Sequence, residues 1–146
     1  MGNYRSLAQN VGPLFGLFYV VIGIAGFFVT GFKDFTVNTD DAIAGFSINP
    51  MHNLAHLGIG LFLIIMTTAW SAAVAEGAVL GVGLFYIVAT AIGVLDGDNL
   101  TILSMDGRDD LENLNHIVNG LALFTLGLIS VGATEAHTKR TGQPAH

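Results

Sequence analysis

Apolar positions in this chain gather into four long blocks. Residues 11–32 (VGPLFGLFYVVIGIAGFFVTGF) and 77–95 (GAVLGVGLFYIVATAIGVL) contain no charged side chain. Residues 54–75 (LAHLGIGLFLIIMTTAWSAAVA) and 114–134 (LNHIVNGLALFTLGLISVGAT) each contain one histidine and no formal charge. A helix that crosses a bilayer needs about 20 apolar residues, so the pattern predicts four spanning helices. The expected fold class is an all-α integral membrane protein, a four-transmembrane-helix bundle forming a single membrane domain over residues 1–146. The first block is read as retained rather than as a signal peptide. It is too long, its basic start is only Arg5, and no A-x-A site follows. Asn49 and Pro50 suit the N-cap and first position of the second helix. Asp109 and Asp110 suit the start of the fourth, where negative charge complements the helix dipole.

The blocks are related to one another. GLFYVVIGIAG at 16–26 resembles GLFYIVATAIG at 83–93, and HNLAHLGIGL at 52–61 resembles ENLNHIVNGL at 112–121. The offset is 67 residues for the first pair and 60 for the second, so the first half has a connection longer by seven residues. The expectation is two parallel helix-hairpin repeats, repeat one over about 11–75 and repeat two over about 77–134, with a polar tail at 135–146. Two spans per repeat put both in the same orientation, related by an axis along the membrane normal. Gly12 and Gly16 are spaced four apart, as are Gly77 and Gly81. Small residues at that spacing let helix backbones approach closely in lipid, and packing is the expected role of the glycines.

Composition agrees with the pattern. Of 146 residues, 52% are hydrophobic and only 11% charged, where a soluble domain has about 25% charged. Cysteine is absent, which excludes disulfide and thiolate chemistry. The net charge of −6 argues against nucleic acid as a partner. Arg5, Lys139 and Arg140 lie on the terminal segments, and Lys33 and Arg108 in the first and third loops. The positive-inside rule then puts both termini on the cytoplasmic side of the membrane. Asp34, Asp40, Asp41, Asp96, Asp98, Asp106, Asp109, Asp110 and Glu112 make the opposite face acidic. The stretches D-G-D-N at 96–99 and D-G-R-D-D at 106–110 offer oxygen ligands for calcium, without the spacing of an EF-hand loop. Trp70, Phe32 and Phe35 fall where aromatic anchors sit at an interface.

The candidate chemistry lies in the repeated polar residues. Positions i, i+4 and i+8 share a helix face, so His52, His56 and Gly60 form one stripe and Glu112, His116 and Gly120 the matching one. Asn53 and Asn113 lie close to the same faces. Three readings compete. Asn53, His56, Asn113 and His116 can serve as interhelical polar pairs. His52, His56, Glu112 and His116 offer three imidazoles and a carboxylate to a transition metal. His56 and His116 can act as paired axial ligands to haem b.

INPMHNLAHLGIGLFLI at 48–64, preceded by the GLFYVVIGIAG span, resembles the bacterial membrane family called domain of unknown function 4383. Its marks are an N-P-x-H-N-x-x-H element, here Asn49 to His56, and an N-x-x-H echo, here Asn113 to His116. Where that family often has an aspartate before the second asparagine, this chain has Glu112. The resemblance implies the four-span fold, a place in the bacterial inner membrane or a membrane derived from it, and no particular activity.

No nucleophile–base pair, phosphate loop or dinucleotide fingerprint is present, so the chain is read as non-enzymatic. The expected role is an accessory or scaffold subunit packing against a larger membrane assembly, such as a respiratory or photosynthetic energy-converting complex. Its partners are then the lipid bilayer and other membrane subunits. The first alternative is a haem- or metal-binding redox protein using the paired histidines. The second is a small-molecule or ion transporter, for which the blocks offer few ionisable groups.

Overall fold

A computed structural model describes residues 4–37, 41–95, 102–104 and 111–143. Four helices account for most of it: α1 (Leu7–Thr30), α2 (Pro50–Thr68), α3 (Ala72–Leu95) and α4 (Leu111–Thr141). All four are long and apolar enough to cross a membrane. A short antiparallel hairpin, β1 (Ala42–Ile43) and β2 (Phe46–Ser47), lies between α1 and α2.

Local chemistry sets the helix ends. Ser6 caps α1 through a capping box: its hydroxyl accepts from Gln9 N–H, and Gln9 Oε1 accepts from Ser6 N–H. Pro13, inside α1, has no N–H to give Gln9 O, and Arg5 Nη2 donates to that carbonyl instead at 2.9 Å. Asn49 caps α2 by accepting from His52 N–H at 2.8 Å, and Pro50 takes the first turn. Asn49 Nδ2 also donates to Val37 O and Ile102 O, joining the two long connections. The β1–β2 turn is Ala44–Gly45, both with positive φ (53° and 87°). That is the two-residue hairpin geometry for which glycine is suited.

Three boundaries differ from the apolar blocks. The turn between the second and third helices falls at 69–71, so residues 72–75 open α3 rather than close α2. The fourth helix continues through most of the polar tail, to Thr141. The β hairpin has no counterpart in the block pattern. Asp109 and Asp110, as caps of α4, and the two aspartate-rich stretches lie outside the described residues.

α1 packs along α2, and α3 along α4, more extensively than any other pair. Glycines make this close approach possible. A Cβ on Gly16 would stand 2.7 Å from Gly60 O, and one on Gly60 would stand 2.6 Å from Gly16 O. In the second hairpin, a Cβ on Gly83 would stand 2.9 Å from Gly120 O, and one on Gly120 would stand 3.0 Å from Gly83 O. Gly26 lies against the Asn53 side chain, and Gly93 against that of Asn113. Gly12 rests on Thr67. Gly77 and Gly81 depart from the packing expected of them: a Cβ on either would meet nothing within 4 Å. They face outward on α3.

Between the hairpins, α1 and α3 touch along one diagonal through Tyr19 and Tyr86, whose rings stack at 5.5 Å. Among the described residues, α2 and α4 are bridged across the other diagonal by side chains. Leu63 and Leu123 are fully buried in the same core.

Candidate functional site

The side chains that bridge α2 and α4 are the histidines. His52 and His56 lie one turn apart on α2, and their Nε2 atoms are 2.9 Å from each other. From α4, the His116 ring comes to 5.8 Å from His52 and 6.3 Å from His56, centroid to centroid. One ligating nitrogen from each of the three lies within 4.8 Å of the other two. All three are buried. Glu112, also buried, is one turn before His116, with Oε2 3.6 Å from His116 Nε2. The three histidines of the sequence-derived metal set therefore meet, with Glu112 beside His116 at the edge of the group.

Two tyrosines line the cluster on its inner side. Tyr19 stacks on His56 at 5.6 Å and Tyr86 lies 5.0 Å from the His116 ring. The Tyr86 hydroxyl is 3.4 Å from His56 Nδ1, so the far nitrogen of His56 has a phenol beside it while Nε2 faces His52. Tyr19 donates its hydroxyl to Asn119 Oδ1 at 3.2 Å. A void of about 30 Å³ is lined by His52, His56, His116 and Tyr86. A second, of about 100 Å³, lies on the other side of His56, floored by Glu112 and Asn115 and roofed by Ile43, Phe46 and Ile48 of the β hairpin and its exit.

The asparagines act beside the cluster rather than in it. Asn53 Nδ2 donates to Thr30 Oγ1 at 2.9 Å, tying α2 to the end of α1. Asn113 O lies 3.5 Å from the Thr90 hydroxyl. Haem does not fit between His56 and His116 in this arrangement. A porphyrin between two axial imidazoles needs a slab of open space, and the void beside His56 and His116, about 30 Å³, is only of the size of a water or an ion.

A second buried polar group was not singled out from the sequence. Glu76, in the first turn of the corrected α3, is buried at the opposite end of the bundle. Its Oε1 accepts from the Ser130 hydroxyl (2.9 Å) and the Thr134 hydroxyl (2.6 Å). Ser130 Oγ in turn accepts from Ala8 N–H at 3.0 Å. One carboxylate thus links α3, α4 and α1. Its sequence signal is a single acid flanked by alanine and glycine between two apolar blocks.

Four apolar helices around a buried histidine cluster define an all-α membrane protein with a polar core. The chain belongs to the family described as domain of unknown function (DUF4383), whose family model matches residues 9–129. No curated protein and no solved structure matches it.

Proposed function

We propose that the protein is a non-enzymatic subunit of a larger membrane assembly, docking a transmembrane helix of another chain along the outer face of α3. The observation that supports this is the stripe Ala73, Gly77, Gly81. These residues are exposed at four-residue spacing, and a Cβ on either glycine would meet nothing within 4 Å. In lipid, such a stripe is where helix backbones approach closely. It borders a groove of about 270 Å³ between α2 and α3, lined by Ile59, Phe62, Val82 and Phe85. A helix seated there would bury the glycine backbone against its own small residues.

The same reading takes the chain as two copies of one helix hairpin, supported by the glycine contacts that recur at offsets of 67 and 60 residues. It takes the protein to lie in the bacterial inner membrane or a membrane derived from it, with both termini cytoplasmic, an orientation supported by Arg5, Lys139 and Arg140 against Lys33 and Arg108.

Native electrophoresis of gently solubilised membranes tests the docking. The wild-type chain should migrate within a complex much larger than its own 15.3 kDa. The double variant Gly77→Leu, Gly81→Leu should migrate alone while keeping its helical content. A wild-type chain that runs alone would remove the reading.

A further inference from the structure

We infer that His52, His56 and His116 form a binding site for a borderline first-row transition cation of the zinc class, with Glu112 at its rim. The inference is independent of the docking face on α3.

The donor chemistry comes first. Imidazole nitrogens suit zinc, copper, iron and nickel, whereas calcium and magnesium take oxygen ligands. Three imidazoles converge here, an i, i+4 pair on α2 and one residue on α4. Histidines at i, i+4 on one helix face are a zinc-binding arrangement.

The distances agree. Two imidazole nitrogens bound tetrahedrally at about 2.0–2.1 Å from one zinc ion stand roughly 3.3 Å apart. His52 Nε2 and His56 Nε2, at 2.9 Å, need to part by only a few tenths of an ångström. One ring nitrogen from each of the three histidines lies within 4.8 Å of the other two, so the group needs to close by at most about 1.5 Å to reach that spacing, which side-chain rotations can supply. The void of about 30 Å³ bordered by all three rings is of ionic size.

The surroundings fit a metal ligand set as well. A ligating histidine usually has its other ring nitrogen held by a second group, which fixes the ring orientation. Tyr86 Oη occupies that place for His56, 3.4 Å from Nδ1. A cation in a low-dielectric interior requires negative charge close by. The Glu112 carboxylate, 3.6 Å from His116 Nε2, is placed to supply it. Interhelical adhesion needs only one donor and one acceptor. Three imidazoles grouped around one small void are what a cation requires. The Glu76 group at the other end lacks this character, with two hydroxyls donating to one carboxylate oxygen.

The test uses the full chain in detergent, purified through a tag without histidine and stripped with chelator. Zn²⁺ is then added, unbound metal is removed by gel filtration, and bound zinc is measured by elemental mass spectrometry. Co²⁺, added alone to a second sample, reports its ligands through visible d–d absorption. The wild-type chain should hold about one zinc ion at the single site and give the intense cobalt bands of a four-coordinate site with nitrogen ligands. His52→Gln, His56→Gln and His116→Gln should each weaken binding by about 100-fold or more, beyond the loss that outer-shell changes cause. Glu112→His should keep stoichiometric binding through a fourth imidazole. The inference fails if the wild-type chain retains no stoichiometric metal, a result that needs no variant to fold. It fails equally if the folded glutamine variants bind zinc as the wild type does, since binding would then lie elsewhere, as at His137 on the exposed end of α4.

Discussion

In the first hairpin Gly16 meets Gly60 and Gly26 meets Asn53; in the second, Gly83 meets Gly120 and Gly93 meets Asn113. These contacts recur in both hairpins, while the polar groups at the two ends of the bundle differ. At the end near the α2–α3 turn, Gln9 of the first hairpin donates Nε2–H to Trp70 O at 2.9 Å. Glu76 and Ser130 stand at the matching positions of the second and bond through a carboxylate and a hydroxyl. The helix ends explain the exchange. α2 has ended at Thr68, so a backbone carbonyl is open to an amide donor. α4 continues past Ser130 to Thr141, its carbonyls are used within the helix, and side-chain hydroxyls take over. At the other end, His52 of the first hairpin corresponds to Glu112 of the second, which makes the proposed metal site three imidazoles and a carboxylate instead of four imidazoles. The shared glycines set the backbone spacing and the shared His56 and His116 supply two of the proposed ligands, while the unlike positions change the groups around them.

The largest expected effect tests the shared scaffold. Gly16→Val and Gly83→Val each force a side chain into the backbone of the facing helix and should each cost about 3 kcal/mol. Denaturation in mixed detergent micelles, followed by circular dichroism, measures both. If one variant is tolerated and the other is not, the two crossings are not equivalent.

Next come the unlike ends. Glu76→Ala removes the acceptor of two hydroxyls in a buried setting and should cost about 2 kcal/mol, against about 1 kcal/mol for Gln9→Ala, because two hydroxyl donors lose their acceptor. Equal losses in the same denaturation assay would mean that the exchange of carboxylate for amide carries no energetic difference.

Asn53→Ala removes the bond to Thr30 and should cost about 0.6–1 kcal/mol, the usual scale of side-chain bonds between membrane helices. A double-mutant cycle with Thr30→Ala isolates that term. The smallest effect is expected at Gly81→Val. Its side chain enters open space, so stability in detergent should change by less than about 0.5 kcal/mol, in contrast to the valine variants at Gly16 and Gly83. A large loss there would show that α3 uses that face within its own chain.

Much of this architecture is legible in the linear chain because its causes are local. Unbroken apolar blocks long enough for a bilayer determine four helices. Asn49 followed by Pro50 determines where α2 begins, since an asparagine cap and a proline in the first turn satisfy that end without any distant partner. The four-residue spacing of His52 and His56 places them on one face whatever lies opposite. What the chain alone leaves open is which face meets which neighbour. Gly12–Gly16 and Gly77–Gly81 have the same spacing, yet Gly12 and Gly16 are packed against α2 while Gly77 and Gly81 face outward. Helix rotation is decided by the sum of contacts along the whole crossing, not by the spacing of two glycines. Glu76 belongs to the interior only because α3 starts before the apolar block does and Ser130 and Thr134 are waiting on α4. The meeting of His116 with His52 and His56 is likewise tertiary. It depends on α2 and α4 lying across a diagonal wide enough for three rings, which the closer contact of Tyr19 with Tyr86 on the other diagonal sets.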